Sequence, residues 1–173
     1  MKKLTLFLFS ILTLFFIAPS YSEEKFISDF AEEVKVIDGD TIKLGKEKIR
    51  FHGIDAPEIK QVCRDKHDSP YMCGIVAKNF LIDLIKRRGV NEQKKVYCYY
   101  SERDRYKRII GKCYIGADSE FNISLSMVRT GNAIVYEKYS QDYLEEQNNA
   151  KIFGWGIWQG KFISPEEWRR KNK

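Results

Sequence analysis

The chain has 173 residues, which suggests one domain plus extensions. Its 43% hydrophobic and 31% charged content fits a soluble globular protein, and the absence of any internal repeat or low-complexity tract excludes a repeat array. A formal charge of +6 is compatible with a polyanionic partner but does not establish one.

The N-terminus opens with Lys2 and Lys3, followed over 4–17 by apolar residues broken only by Thr5, Ser10 and Thr13. Ala18-Pro19-Ser20-Tyr21-Ser22 then supplies small residues at cleavage-compatible spacing. This reads as a secretory signal peptide over 1–22, cleaved after Ser22. An uncleaved anchor is the alternative, but an apolar run of about 14 residues is short against the roughly 20 needed to span a bilayer. Cleavage removes two lysines and no acids, so the formal charge falls from +6 to +4. A mature protein that is periplasmic or secreted, with no stable membrane association, follows from this reading.

Residues 23–30 read as a polar lead-in. Strand-like text follows over 31–37, where Val34 and Val36 alternate with Glu33 and Lys35. Two further strands, over 41–44 and 47–54, flank Gly45-Lys46, a two-residue turn with glycine first. That turn pairs Leu44 with Glu47 and Thr41 with Arg50. Ser69-Pro70 suggests an N-cap with proline at the first helical position, opening a helix to about Arg88 that Gly89 stops. Val76, Phe80 and Leu84, with Ala77, Leu81 and Ile85 beside them, form its core stripe. Strands four and five lie over 94–100 and 108–115. Helices over about 122–130 and 140–153 end at Gly131 and Gly154, and 161–173 is a basic tail. Three strands, a helix, two strands and two helices give a mainly β, α+β class. Specifically, they give a five-stranded OB-fold barrel with three α-helices over 31–160.

Cys63, Cys73, Cys98 and Cys113 are an even set in an exported chain, which reads as disulfides, and their spacing fits no common zinc pattern. Four cysteines allow three connectivities; the local pairs Cys63–Cys73 and Cys98–Cys113 are favoured. Cys98 and Cys113 are equidistant from Arg105-Tyr106, the expected tip of the last hairpin.

Acidic residues crowd the ends of the early strands: Asp38-Gly39-Asp40-Thr41 and Gly53-Ile54-Asp55-Ala56-Pro57-Glu58. Asp40 and Asp55 fall toward one open end of the hairpin, where two carboxylates repel unless a cation lies between them. Oxygen ligands without nearby His or Cys suit a hard ion such as Ca²⁺ or Mg²⁺. A regular strand would point Asp40 and Arg50 to opposite faces, so the Asp-Gly-Asp turn must re-aim Asp40, or the hairpin turn is longer than two residues. Each segment taken alone reads as an ordinary turn or an outward ion pair; in combination, with Asp104-Arg105-Tyr106-Lys107-Arg108 at the other hairpin tip, they read as a site.

The series Val36-Ile37-Asp38-Gly39-Asp40-Thr41, the run Ile49-Arg50-Phe51-His52-Gly53-Ile54-Asp55-Ala56-Pro57-Glu58 and the basic tip just named resemble the staphylococcal nuclease family. Met127-Val128-Arg129-Thr130-Gly131-Asn132-Ala133 and Gly156-Ile157-Trp158 extend the resemblance. The cysteines resemble those of an exported, cysteine-containing branch. The resemblance implies Ca²⁺-dependent hydrolysis of DNA and RNA by a monomer, with little sequence specificity, leaving 3′-phosphate ends. It implies that Asp40, Asp55 and the carbonyl of Ala56 hold the metal, that Glu58 activates water, that Arg50 and Arg108 bind phosphate, and that Tyr106 lies near the nucleotide. Lys107 stands where the family commonly has glycine, which bears on how Arg108 is aimed. Tyr136 and Tyr139 are candidates for stacking on a base or for ordinary packing. Two other classes compete: an OB-fold module that binds nucleic acid without cutting it, and an accessory protein of envelope or polysaccharide assembly.

Overall fold

The computed structural model describes residues 25–88, 95–116 and 121–172. The signal-peptide reading over 1–22 and the helix stop at Gly89 lie outside the described residues.

The described residues begin with β1 (Lys25–Phe30) and β2 (Lys35–Val36), which precede the hairpin β3 (Thr41–Leu44) and β4 (Glu47–Phe51). The short strands β5 (Ile54–Asp55), β6 (Cys63–Arg64) and β7 (Pro70–Tyr71) lead into α1 (Cys73–Arg88). The second hairpin is β8 (Lys95–Arg103) and β9 (Ile109–Ile115). Then come β10 (Phe121–Asn122), α2 (Ile123–Arg129), β11 (Ile134–Val135), α3 (Leu144–Phe153) and α4 (Pro165–Lys171).

The main sheet runs β1-β8-β9-β4-β3-β2, with β10 beside β9. Its pairs are antiparallel except β4 with β9, which run parallel and bring Ile49 opposite Ile109 and Arg50 opposite Ile110. Among the described residues this path is open, ending on β1 and β2, and the architecture is sheet-dominated α+β with four α-helices rather than three. Two segments add elements beyond the sequence reading. The polar lead-in is in fact β1, which pairs along the full length of its six residues with β8 and packs Ile27 on the core. The basic tail contains the fourth helix, capped by Ser164, whose Oγ accepts the Glu167 N–H at 3.1 Å, with Pro165 at the first helical position.

The α1 boundary also differs from the sequence reading. Ser69-Pro70 does not cap a helix: Pro70 and Tyr71 pair with Arg64 and Cys63, and the helix starts at Cys73. The face it buries is Ala77, Leu81 and Ile85, while Phe80 and Leu84 are half-buried and Val76 is exposed, so the stripe is rotated by one residue. The other side of the core comes from Ile42, Leu44, Ile49, Phe51, Ile109, Ile115 and Met127, all 2% exposed or less. Burying a side chain of this size contributes about 1.5–3 kcal/mol, which is why alternating apolar residues set the strand faces.

Cys98 and Cys113 are directly opposite on β8 and β9 and form a disulfide, with Cα atoms 4.1 Å apart. Cys63 and Cys73 form the second. Both pairings agree with the local connectivity, and two disulfides indicate an oxidising, non-cytoplasmic compartment. No helix among the described residues is long and apolar enough to cross a membrane.

Candidate active site

The β3–β4 hairpin has the expected two-residue turn, with Leu44 opposite Glu47 and Thr41 opposite Arg50. Asp40 is the residue before β3, in a bend. There the Asp38 carboxylate accepts its N–H at 3.1 Å, and its carbonyl accepts the Phe51 N–H at 2.8 Å. The bend turns the Asp40 side chain toward the face that Arg50 occupies, which resolves the conflict a regular strand would create. Arg50 Nη1 donates to Asp40 Oδ1 at 2.7 Å, and Nη2 donates to Asp55 Oδ1 at 2.6 Å. One guanidinium thus draws two almost fully buried carboxylates together; Asp40 is 3% exposed and Asp55 is 1% exposed.

Other groups complete the first carboxylate. Thr41 Oγ1 donates to Asp40 Oδ1 at 3.0 Å, and the Ala56 N–H donates to Oδ2 at 2.9 Å. Asp55 is placed by β5, which pairs with β11 so that Asp55 faces Ile134. Beyond it the chain turns at Ile59-Lys60, between Glu58 and Gln61. The Glu58 N–H is accepted by Gln61 Oε1 at 3.2 Å, and its carbonyl accepts the Gln61 N–H at 2.7 Å. Gly74, at the start of α1, passes so close that an added Cβ would lie 1.8 Å from the Glu58 carbonyl oxygen.

The electrostatics follow from burial. Burial pushes the Asp55 carboxyl above its ordinary value, against the opposing pull of Arg169 and Arg50. Asp38 is pushed up to about 7 by burial and by the negative charge of Asp40. Burial disfavours the charged Arg50, but Asp40 and Asp55 outweigh it and hold the guanidinium more firmly protonated.

Among the described residues no trio of His, Cys, Asp or Glu side chains gathers into a metal cage. The acidic groups gathered at Arg50 are the Asp40 and Asp55 carboxylates, whose donors are all oxygen. That set suits a hard cation and offers nothing to a soft one.

The second basic element is organised separately. Asp104 Oδ1 accepts the N–H groups of Tyr106 and Arg108 at 2.9 Å each, and Arg108 Nε donates to Asp104 Oδ2 at 2.8 Å. Lys107 takes φ +65°, the conformation glycine adopts without penalty. Arg108 stands one residue before Ile109, and Ile109 faces Ile49. It is therefore two residues along the parallel ladder from the Arg50 level, or about 7 Å. The described contacts of Arg108 are with Asp104 and the Tyr106 ring, not with Asp40, Asp55 or Glu58. Tyr106 is exposed. Tyr136 and Tyr139 meet edge to face at 4.8 Å, and Tyr136 lines a shallow cleft of about 180 Å³ that Asp55, Lys138 and Glu166 also border.

A sequence model of the Staphylococcal nuclease homologue family matches residues 48–160. The chain belongs to the staphylococcal nuclease family. It is 34% identical over 172 residues to an uncharacterized endonuclease of Haemophilus influenzae, covering 95% of this chain and 84% of that protein. It is also 34% identical over 145 residues to an uncharacterized endonuclease of Escherichia coli, covering 80% and 83%. To the succinoglycan biosynthesis protein ExoI of Rhizobium meliloti it is 32% identical over 130 residues, and the chain spans 64% of that protein's length.

The matched span of the staphylococcal nuclease family holds Arg50, Asp55, Ala56, Glu58, Tyr106 and Arg108, while Asp40 precedes it and α4 follows it. Two residues of the site escaped the sequence reading. Arg169, on α4, donates through Nη1 and Nη2 to both Asp55 oxygens and through Nη1 to Glu58 Oε1, all at 2.9 Å. The available signal was Ser164-Pro165-Glu166-Glu167 followed by Arg169-Arg170-Lys171: cap, proline, acidic first turn, basic last turn. Gln61, fully buried, links the Glu58 turn to the Ile163 carbonyl at 2.8 Å. Nothing in its sequence context distinguishes it.

Proposed function

We propose that this nuclease-family hydrolase is an exported, Ca²⁺-dependent enzyme that cuts phosphodiester bonds in DNA and RNA and leaves 3′-phosphate ends. The observation that carries the reading is the Arg50 guanidinium held between buried Asp40 and Asp55, with Glu58 three residues beyond Asp55. The reading keeps an OB-like architecture, since the first hairpin, α1 and the second hairpin follow in the order such a fold requires. Export is supported by the basic, apolar and small-residue succession over 1–22 and by the two disulfides.

Asp40, Asp55 and the Ala56 carbonyl would hold the ion. Bound there, Ca²⁺ supplies positive charge against the build-up at phosphorus. Arg50 engages two of its five N–H groups with the carboxylates, which leaves donors for a phosphate oxygen. Arg108 offers a second fork, held ready by Asp104. Glu58 takes the proton of the attacking water. The P–O5′ bond breaks as the new P–O bond forms, so the phosphate stays on the 3′ side. Tyr106, exposed beside Arg108, would meet the nucleotide.

Glu58→Gln and Arg108→Ala test the assignment by single-turnover cleavage beside equilibrium binding of a short oligonucleotide. Glu58→Gln should keep binding and lose about 10²-fold or more in rate, the usual scale for a general base. Arg108→Ala should lose binding and rate together. Cleavage at wild-type rate by Glu58→Gln would remove Glu58 from the chemistry. A second reading, an accessory role in polysaccharide assembly, is favoured only by the name of the Rhizobium meliloti relative. It predicts no cleavage under any ion condition.

A further inference from the structure

The main chain of Glu58 is fixed by Gln61 and by the close approach of Gly74, but these contacts do not choose a rotamer for its side chain. That side chain is 31% exposed, and among the described residues the group that hydrogen-bonds it is Arg169. The same Nη1 that donates to Glu58 Oε1 also donates to Asp55 Oδ1, and Nη2 donates to Asp55 Oδ2. A rigid planar fork that spans two carboxylates sets their separation as well as their orientation.

Arg169 is itself aimed by buried structure. The Ser164 cap and Pro165 start α4 at a defined residue, and the Ile163 carbonyl just before it accepts the Gln61 Nε2 proton at 2.8 Å. The other end of the same amide accepts the Glu58 N–H. Gln61 therefore ties the turn that carries Glu58 to the start of the helix that carries Arg169.

We propose that Arg169 is a positioning residue: it holds the Glu58 carboxylate in the orientation needed to take a proton from water, with Gln61 setting the spacing between turn and helix. The proposal rests on the reading of Glu58 as the base. A half-exposed carboxylate on a turn samples several rotamers, and a general base works only within hydrogen-bond reach of its proton. Arg169 removes that freedom through Oε1. The competing possibility is that the Arg169 guanidinium stands in the cation's place and must leave before an ion binds.

The test uses the full mature chain carrying Arg169→Ala, Arg169→Lys, Glu58→Gln and the Arg169→Ala/Glu58→Gln pair. Single-turnover cleavage is read beside oligonucleotide binding and Ca²⁺ affinity by calorimetry. Arg169→Ala should slow cleavage by about 10–100-fold, the scale of an orienting partner, while oligonucleotide binding is retained. Arg169→Lys should recover part of the rate, since it keeps the charge but not the fork. In the Glu58→Gln background Arg169→Ala should cost almost nothing more, because both changes remove one device. Equal slowing in both backgrounds, faster cleavage by Arg169→Ala, or markedly tighter Ca²⁺ binding would overturn the proposal, the last two in favour of competition with the ion. If Arg169→Ala does not fold, Arg169→Lys in the two backgrounds carries the same comparison. Full activity of Glu58→Gln would instead defeat the reading of the base, so the two failures are distinguishable.

Discussion

Lys107 holds a left-handed backbone at φ +65°, which costs an L side chain about 1–2 kcal/mol. Its carbonyl accepts from Arg103 Nη1 and its N–H donates to the Asp104 carbonyl, so the turn is maintained by backbone contacts that glycine also makes. Lys107→Gly should therefore raise stability by about 1 kcal/mol in denaturant unfolding and leave the Asp104–Arg108 pairing intact. Asp104 adds a pH dependence. Burial pushes its carboxyl up, but the Arg108 side chain and the backbone N–H groups of Arg108 and Tyr106 outweigh this and hold it below its ordinary 3.8. A depressed folded value gives stability that is fully present above the unfolded value and is lost as pH falls through the folded one. Melting temperatures should show wild type ahead of Asp104→Asn near pH 6, with the gap closing as the pH is lowered below about 3.8. Gly74 makes the opposite kind of contribution. Gly74→Ala would place a Cβ 1.8 Å from the Glu58 carbonyl and force the turn away from α1. It should cost about 1–3 kcal/mol in stability and lower cleavage as well.

At the scale of elements, the two hairpins were legible because their signals are local. Gly45-Lys46 set the register that places Thr41 opposite Arg50, and a bulge between Tyr100 and Glu102 shifts the β8–β9 pairing near the tip while Cys98 still lies opposite Cys113. The latter disulfide closes a loop of 15 residues, so Cys98→Ala/Cys113→Ala should lose about 3 kcal/mol in unfolding measurements, while a near-zero loss would show the strands hold their register unaided. Less legible were elements whose identity depends on distant partners. Ser69-Pro70 and Ser164-Pro165 are the same local signal. The first is drawn into an extended pair with Cys63-Arg64, beside the Cys63–Cys73 disulfide, whereas the second is free to cap a helix. β1 contains Lys, Ser and Asp and reads as polar, and it becomes a strand only because the β8 edge supplies partners for its backbone. The site divided in the same way. Asp40, Arg50, Asp55 and Glu58 lie within 19 residues and announce themselves, but Arg169 reaches Asp55 across 114 residues of sequence.

Across the whole molecule, the site is where the first hairpin, the Glu58 turn and the C-terminal helix converge, while the second hairpin brings Arg108 to the adjoining edge of β4. The mixed sheet gives these parts a fixed frame, since parallel β4–β9 pairing requires the long crossover through α1 before the second hairpin can return beside the first. We propose that this convergence makes a metal-dependent nuclease. The most direct test is to incubate the purified mature protein with plasmid DNA and with RNA, in excess chelator and after adding back Ca²⁺. The expected result is no cleavage with chelator and recovery with Ca²⁺ on both substrates, with the recovery absent in Asp40→Asn and Asp55→Asn. Full cleavage in excess chelator would contradict it.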